Sequence, residues 1–434
     1  MIFNAAMIVL YRILFPFLLL LALPYYGARM LKRGGYGKDL RHRFGRIDPL
    51  PPRKPGVKRI WVQAVSVGEI RAIQPVIDGL NERADIEIVL TTTTSTGYAL
   101  AREHYRDSCL ANGIFPIDWL PFSARTWDRI QPDLAVLMEG DLWPEHLHQA
   151  RKRNVPAILV NGRMSDRSFR RYQKVGGLAQ WLFAQIDQVY AGSTQDADRF
   201  RELGVPTDRL ETTGNIKFDV QVKPILDAAE RRALRTELGF PENALVLLGS
   251  STWPGEEVML AQTLLDARKD NPNIHLLIIP RHAERRKEIR RDLEQFPFRF
   301  AFRTEEKADG ALDIYVGDTT GELAMLSQAA DVAFIGKSLP PHTEGQTPIE
   351  AAALGLPIVY GPGMGNFRRV CQSLQAEAAA IRATDAADAR HQLLTLLRDP
   401  AQRQTMTTCA QRWHTNNRGA ANRVVDALVG KLGK

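Results

Sequence analysis

The chain has few cysteines and no nucleotide fingerprint. Its three cysteines, Cys109, Cys371 and Cys409, are far apart and odd in number. They have no metal-ligand spacing and form no disulfide framework, which points to a reducing compartment. No G-x-G-x-x-G follows the first apolar run, and G-x-x-x-x-G-K-[ST] occurs nowhere, so a nicotinamide dehydrogenase and a P-loop enzyme are disfavoured. Zinc-finger spacing, an RNA-binding aromatic motif, short-period repeats and low-complexity tracts are also missing. What is present is an ordinary globular composition over 434 residues: 44% apolar, 24% charged. That length suits about two or three domains. Lys plus Arg exceed Asp plus Glu by 57 to 49. The basic residues concentrate in Arg29 to Lys58 and in Arg281 to Arg291. Membrane phosphates or an anionic substrate explain this better than nucleic acid.

Met7 to Leu23 is apolar except for Arg12. A spanning helix needs about 20 apolar residues, so this run barely qualifies, and Pro16 and Pro24 weaken it. A cleaved signal peptide is disfavoured, because no basic residue precedes the run and no small-x-small site ends it. The expectation is an uncleaved anchor or deep interfacial helix over residues 1–27. The basic flank puts the body on the cytoplasmic side. Arg41, His42 and Arg43, just beyond the anchor, are expected to meet anionic lipid phosphates. Because the sheets begin near Ile60, the body is expected to fold without Met1 to Tyr26.

Short β-branched runs then alternate with amphipathic helices. The expected strands are Ile60–Ala64, Ile86–Leu90, Leu134–Met138, Ala157–Val160 and Gln188–Ala191. A second series is Leu245–Gly249, His275–Ile279, Ile314–Val316, Val332–Ile335 and Pro357–Tyr360. Continuous apolar strands mean parallel sheets covered on both faces. Two series mean two doubly wound α/β domains, with a seam near Val220 to Leu226. Ligands in such sheets sit outside the carboxyl ends of the strands. Two Rossmann-like domains without a dinucleotide fingerprint suggest a cleft for an activated sugar, the nucleotide on one domain and the acceptor on the other.

Several strand ends carry suitable chemistry. Glu69 follows Ser66-Val67-Gly68 and is either a general base or a carboxylate favoured by the helix dipole. Glu139 and Asp141 orient an acceptor or cap the next helix. Arg281 and His282 suit a phosphate. Asn215 and Lys217 reach a donor carboxylate or phosphate, or form a plain turn. Ser250, Ser251 and Thr252 are expected to open a helix whose free N–H groups hold an anion, or simply to cap it. Glu350, behind Pro348, suits a pair of ribose hydroxyls, or again a dipole carboxylate.

Six motifs occur in order: Trp61 to Glu69 (W-V-Q-A-V-S-V-G-E), Met138 to Pro144 (M-E-G-D-L-W-P), Thr213 to Asp219 (T-G-N-I-K-F-D), Ile279 to His282 (I-P-R-H), Gly317 to Leu323 (G-D-T-T-G-E-L), and Pro348 to Pro362. Together they resemble the 3-deoxy-D-manno-octulosonate (Kdo) transferases of lipopolysaccharide core biosynthesis. The resemblance implies the two-domain GT-B glycosyltransferase fold, its domains facing a cleft, with an N-terminal membrane anchor. It implies an acceptor domain over residues 28–222 and a CMP-Kdo domain over 223–434. The implied reaction is inverting transfer of Kdo from CMP-Kdo to a lipid A precursor (lipid IVA) at the inner membrane, with no cofactor or metal and with Glu69 as the base. One departure stands out. Where the family usually reads G-G-H-N-P-L-E, this chain has Gly345-Gln346-Thr347-Pro348-Ile349-Glu350. Gln346 is expected to donate a hydrogen bond in place of the missing His, while two prolines limit the reach of His342. The rival readings are a GT-B enzyme using another nucleotide sugar and a non-catalytic binder of the lipid A precursor.

Overall fold

The structure, a computed structural model, describes residues 2–32, 35–219, 225–305 and 310–433. It divides into two compact units, Met1–Asp219 with Asn417–Lys434, and Val220–Asn416. Most of the expected seam lies outside the described residues. The end of the chain differs from expectation: helix Ala420–Leu432 belongs to the first unit, not the second. Its Val424 and Leu428 are buried in the same core as Val76, Ile77 and Leu80 of helix Gln74–Asn81. The Asp219 carboxylate accepts from the Gly419 and Ala421 N–H groups at its start. Burial of an apolar stripe decides the assignment, whatever the position in the chain.

The first unit holds a parallel sheet of β1 (Lys58–Gln63), β2 (Ile86–Thr92), β3 (Ala111–Ile114), β4 (Leu134–Met138), β5 (Ala157–Gly162), β6 (Gln188–Ala191) and β7 (Leu210–Thr212). The order is β3-β2-β1-β4-β5-β6-β7. Side chains alternate between two cores. Ile60, Val62, Val136 and Met138 face one layer of helices, and Trp61, Ala135 and Leu137 face the other. Both faces are covered, which is why the central strands read as continuous apolar runs.

The second unit repeats the plan with β8 (Leu245–Thr252), β9 (Ile274–Pro280), β10 (Phe300–Phe302), β11 (Ile314–Val316), β12 (Val332–Ile335), β13 (Ile358–Tyr360) and β14 (Ala380–Arg382). Its order is β10-β11-β9-β8-β12-β13-β14. Each sheet has one switch point, between β1 and β4 and between β8 and β12. There the flanking connections leave in opposite directions and open a crevice at the carboxyl ends.

The N-terminal helix, Ile2–Lys32, contains the apolar stretch Ala6–Ala28, long enough to cross a membrane. Part of it is docked on the first unit. Ile8 is buried, the Tyr11 hydroxyl donates to Asp118 (2.8 Å), and Arg12 forks onto the buried Glu145 (2.7 and 2.9 Å). The Trp119 indole N–H donates to the Arg12 carbonyl. Beyond this, Phe17, Leu18, Leu20, Leu21, Leu23, Tyr25 and Tyr26 are exposed. Such a run of bare apolar side chains marks a contact with lipid or protein.

The basic tract after the helix is less free than expected. Arg43 donates to the Phe115 and Thr93 carbonyls, His42 is buried with its ring accepting from the Ile114 N–H, and Arg41 pairs with Asp48. Arg43 and His42 fasten the segment to the edge of the sheet and are spent there, while Arg41 stays exposed beside Asp48.

Candidate active site

In the first unit the turns after β1, β4, β5 and β7 meet at the switch point. The Glu69 carboxylate accepts from the Val65 N–H (2.8 Å) and the Ser66 hydroxyl (3.1 Å), so it does close the start of helix Val67–Ala72. It is also unusual electrostatically. Burial pushes it up to about 7; the Val65 N–H opposes this, and the charges of Glu139 and Asp141 add to it. A carboxyl group poised near neutrality suits general-base work, whereas a plain dipole carboxylate needs no such shift.

Glu139 has a left-handed backbone, φ 57°, which turns it off the end of β4. Lys217 lies 2.5 Å from its Oε1, and Arg163 lies 3.8 Å away. Lys217 thus pairs with Glu139 and is not left free for a donor group. Burial raises the Asp141 carboxyl, and Glu139 raises it further. Asn215 is buried, and its side-chain oxygen accepts from the Lys217 N–H, a turn role. Asn161, also left-handed, accepts from the Ile216 N–H and ties β5 to that turn. Its Nδ2 is buried with no partner among the described residues. Asn161 and Arg163 were visible in the sequence only as a strand end.

The mutual repulsion among these carboxylates is testable. Glu139→Gln removes a negative charge beside Glu69 and leaves Lys217 and Arg163 less neutralised. Both effects lower the Glu69 pKa. The acid limb of kcat/KM, expected near pH 7 in the unaltered chain, should move to lower pH. A limb that stays put or moves up would show that the limb belongs to another group.

In the second unit Ser250 and Ser251 do not open a helix. They lie inside β8, where Ser250 pairs with Ile335 and its carbonyl accepts from the Gly336 N–H. The helix starts later, at Glu256 behind Gly255. Ser250 is taken up by the sheet ladder and Ser251 sits at the irregularity between Ser250 and Thr252, so neither stands at a helix start as expected. The strand ends instead form a tight junction. Ser251 and Lys337 are both left-handed. A Cβ on Gly336 would meet the Ser251 carbonyl oxygen at 2.3 Å, so only glycine fits. Buried Glu256 holds the turn by accepting from the Lys337 and Ser338 N–H groups (2.9 and 3.1 Å).

This junction gathers one ammonium and two imidazole rings around Trp253. The Lys337 ammonium lies 4.4 Å from its ring centroid, within cation–π range. The rings of His282 and His342 pack against it at 5.2 and 5.1 Å. The Trp253 indole N–H is buried without a partner among the described residues. The Arg281 N–H bonds the Thr252 carbonyl; its side chain is exposed, and no carboxylate among the described residues lies within ion-pair distance. Its neighbours differ: Arg285 pairs with Glu257, and Arg286 with Asp318. Most of that basic stretch is therefore neutralised internally, and Arg281 is left for a ligand. Glu350 accepts from the Thr347 hydroxyl (3.0 Å), which itself accepts from the Ile349 N–H. Gln346 fixes its loop through its N–H to the Gly336 carbonyl. His342 departs from expectation: despite Pro340 and Pro341 its ring packs on Trp253, the ring that also carries Lys337. Trp253 and Lys337 were not singled out beforehand, although both lie at strand ends.

The chain is similar to known proteins over most of its length. A family profile described as 3-deoxy-D-manno-octulosonic-acid transferase (kdotransferase) matches residues 38–220. The 3-deoxy-D-manno-octulosonic acid transferase of Bordetella pertussis is 35% identical over 401 residues, covering 90% of this chain and 91% of that one. The Haemophilus influenzae enzyme of the same name is 30% identical over 409 residues, covering 93% and 92%. Among solved structures, UDP-GlcNAc 2-epimerase from Neisseria meningitidis bound to UDP-GlcNAc aligns with a TM-score of 0.59 at 13% identity, over 86% of this chain and 100% of that one. That likeness concerns the fold alone. With two parallel sheets of GT-B type and relatives aligned over nearly its whole length, the chain belongs to the Kdo transferase family of glycosyltransferases.

Proposed function

We propose that the chain transfers Kdo from CMP-Kdo to lipid IVA, with inversion, at the cytoplasmic face of the inner membrane. The observation that carries the reading is Glu69, a carboxyl group raised to about 7 at the switch point of the first sheet. An acceptor hydroxyl oxygen attacks the anomeric carbon of Kdo, and Glu69 takes the hydroxyl proton. The bond from that carbon to the CMP phosphate breaks, and CMP leaves with the electron pair. Glu139 and Asp141 orient the acceptor, and Lys217 and Arg163 hold Glu139. Arg281 and Lys337 stabilise the charge of the departing phosphate, and His282 hydrogen-bonds to it. Glu350 holds the ribose hydroxyls.

Mass spectrometry of lipid IVA incubated with the enzyme and freshly generated CMP-Kdo tests this. Products heavier by one or more Kdo units support it, and their number gives the units added. Unchanged lipid IVA would refute it. Thermal stabilisation by UDP but not by CMP would favour a different nucleotide sugar.

The donor loop yields a further expectation. Because His342 packs on Trp253 beside Lys337, His342→Ala should raise the Michaelis constant for CMP-Kdo by more than about threefold. The sequence alone places it below that. Gln346→Ala should also raise it, by the loss of about one hydrogen bond to a polar ligand. A His342→Ala variant with an unchanged constant would leave the ring as a packing element only.

A further inference from the structure

An apolar groove of about 310 Å³ runs along the first unit. Leu10, Leu14 and Leu18 of the N-terminal helix form one wall, and Tyr172, Leu178 and Leu182 the other. We propose that this groove holds an acyl chain of the acceptor lipid, an inference that rests on the reading of the chain as a transferase to a lipid. Four observations converge on that occupant.

The groove is continuous with the acceptor side of the site. Its floor includes Pro144, three residues beyond Asp141. Tyr172, on its wall, lies within the field of the Asp141 carboxylate; burial raises its phenol, Arg171 lowers it and Asp141 raises it again. A chain lying here would leave its polar head beside Asp141. The wall is also fixed in place. Tyr11 and Arg12 pin the N-terminal helix to Asp118 and Glu145, so the groove is built into the fold.

The helix that supplies Tyr172 to the groove also carries the charge that a phosphorylated lipid requires. Helix Asp166–Lys174 presents Arg167, Arg170, Arg171 and Lys174 to solvent, and among the described residues none of them has a carboxylate within ion-pair distance. Cations beside an apolar slot fit an anionic head with a hydrocarbon tail. Finally, the far end of the groove runs into the bare stretch Phe17 to Leu23, through which a chain can pass from the bilayer without crossing water.

The test uses the full chain with two acceptors, lipid IVA and the same molecule with its acyl chains removed. Leu178 is exposed, so Leu178→Glu places a charge in the groove without disturbing the core. Leu14→Gln places an uncharged but polar amide there from the opposite wall. Each variant should raise the Michaelis constant for lipid IVA by at least about tenfold. The constant for CMP-Kdo, and kcat/KM on the deacylated acceptor, should stay at the unaltered values. Equal losses on both acceptors, or no loss on lipid IVA, would overturn the proposal. So would weaker binding to phospholipid vesicles with an unchanged constant for lipid IVA, since the groove would then take bulk lipid. An unaltered chain inert toward both acceptors would overturn the parent reading, and this one with it.

Discussion

Glu69→Gln is expected to lower kcat by about 10²–10⁴-fold while leaving CMP affinity near its original value. That range is what a positioned base contributes. The amide keeps the shape and still accepts from the Val65 N–H, so the turn at Ser66 should survive. What it loses is the ability to take a proton. A second readout separates this from a structural defect. Glu69 is raised in the folded chain from its ordinary 4.5 to about 7, so ionising it there costs stability. The stability it contributes is complete below about pH 4.5 and is lost as pH rises through about 7. Glu69→Gln should therefore raise the melting temperature at pH 8, by an amount reflecting about 1–3 kcal/mol, and change it little at pH 4. An enzyme that is slower and also less stable at pH 8 would mean that the carboxylate mainly holds the turn. More than about a tenth of the rate remaining would remove Glu69 as the base.

The strands that were legible in the sequence are the central ones. Those that were not are β3, β7, β10 and β14, the outermost strand at each end of both sheets. Each is three or four residues long and at least partly open to solvent. An edge strand has one neighbour and one open side, and so lacks the continuous apolar run that marks a buried strand. The site divides in the same way. Glu69, Glu139, Asp141 and Arg281 stand out in the sequence as charged groups after apolar strands, and Glu350 as a carboxylate at a helix start behind Pro348. Ser250 and Ser251 were misplaced because hydroxyl residues after an apolar run read equally well as a strand end or a helix cap; the ladder to β12 decides it, and that pairing is long-range. Lys337 and Trp253 act together only because β8 and β12 are neighbours, and about 80 residues separate them in the chain.

Arg12 shows the same limit and carries the second large expectation. In the sequence it is a blemish in an apolar run. In the structure it is the partner of Glu145, a carboxylate with no exposure of its own. Removing Met1 to Tyr26 should therefore cost more than membrane affinity. It strips the guanidinium from a buried charge and the Tyr11 hydroxyl from Asp118, and it uncovers the apolar groove wall. Leaving one member of a buried pair costs about 3–5 kcal/mol; Arg12 is partly exposed and Gln149 still donates to Glu145, so roughly 2–4 kcal/mol is expected here. Urea unfolding of the full and truncated chains at pH 7.5 measures it. Glu145→Gln within the truncated chain should recover a good part of the loss, because it removes the stranded charge, whereas in the full chain the same change should destabilise by leaving Arg12 without its carboxylate. An unfolding midpoint unchanged by truncation would show that the body is indifferent to the helix, as the position of the first strand alone would have it. Recovery by Glu145→Gln would show instead that the helix is part of the first unit, held to it by an ion pair.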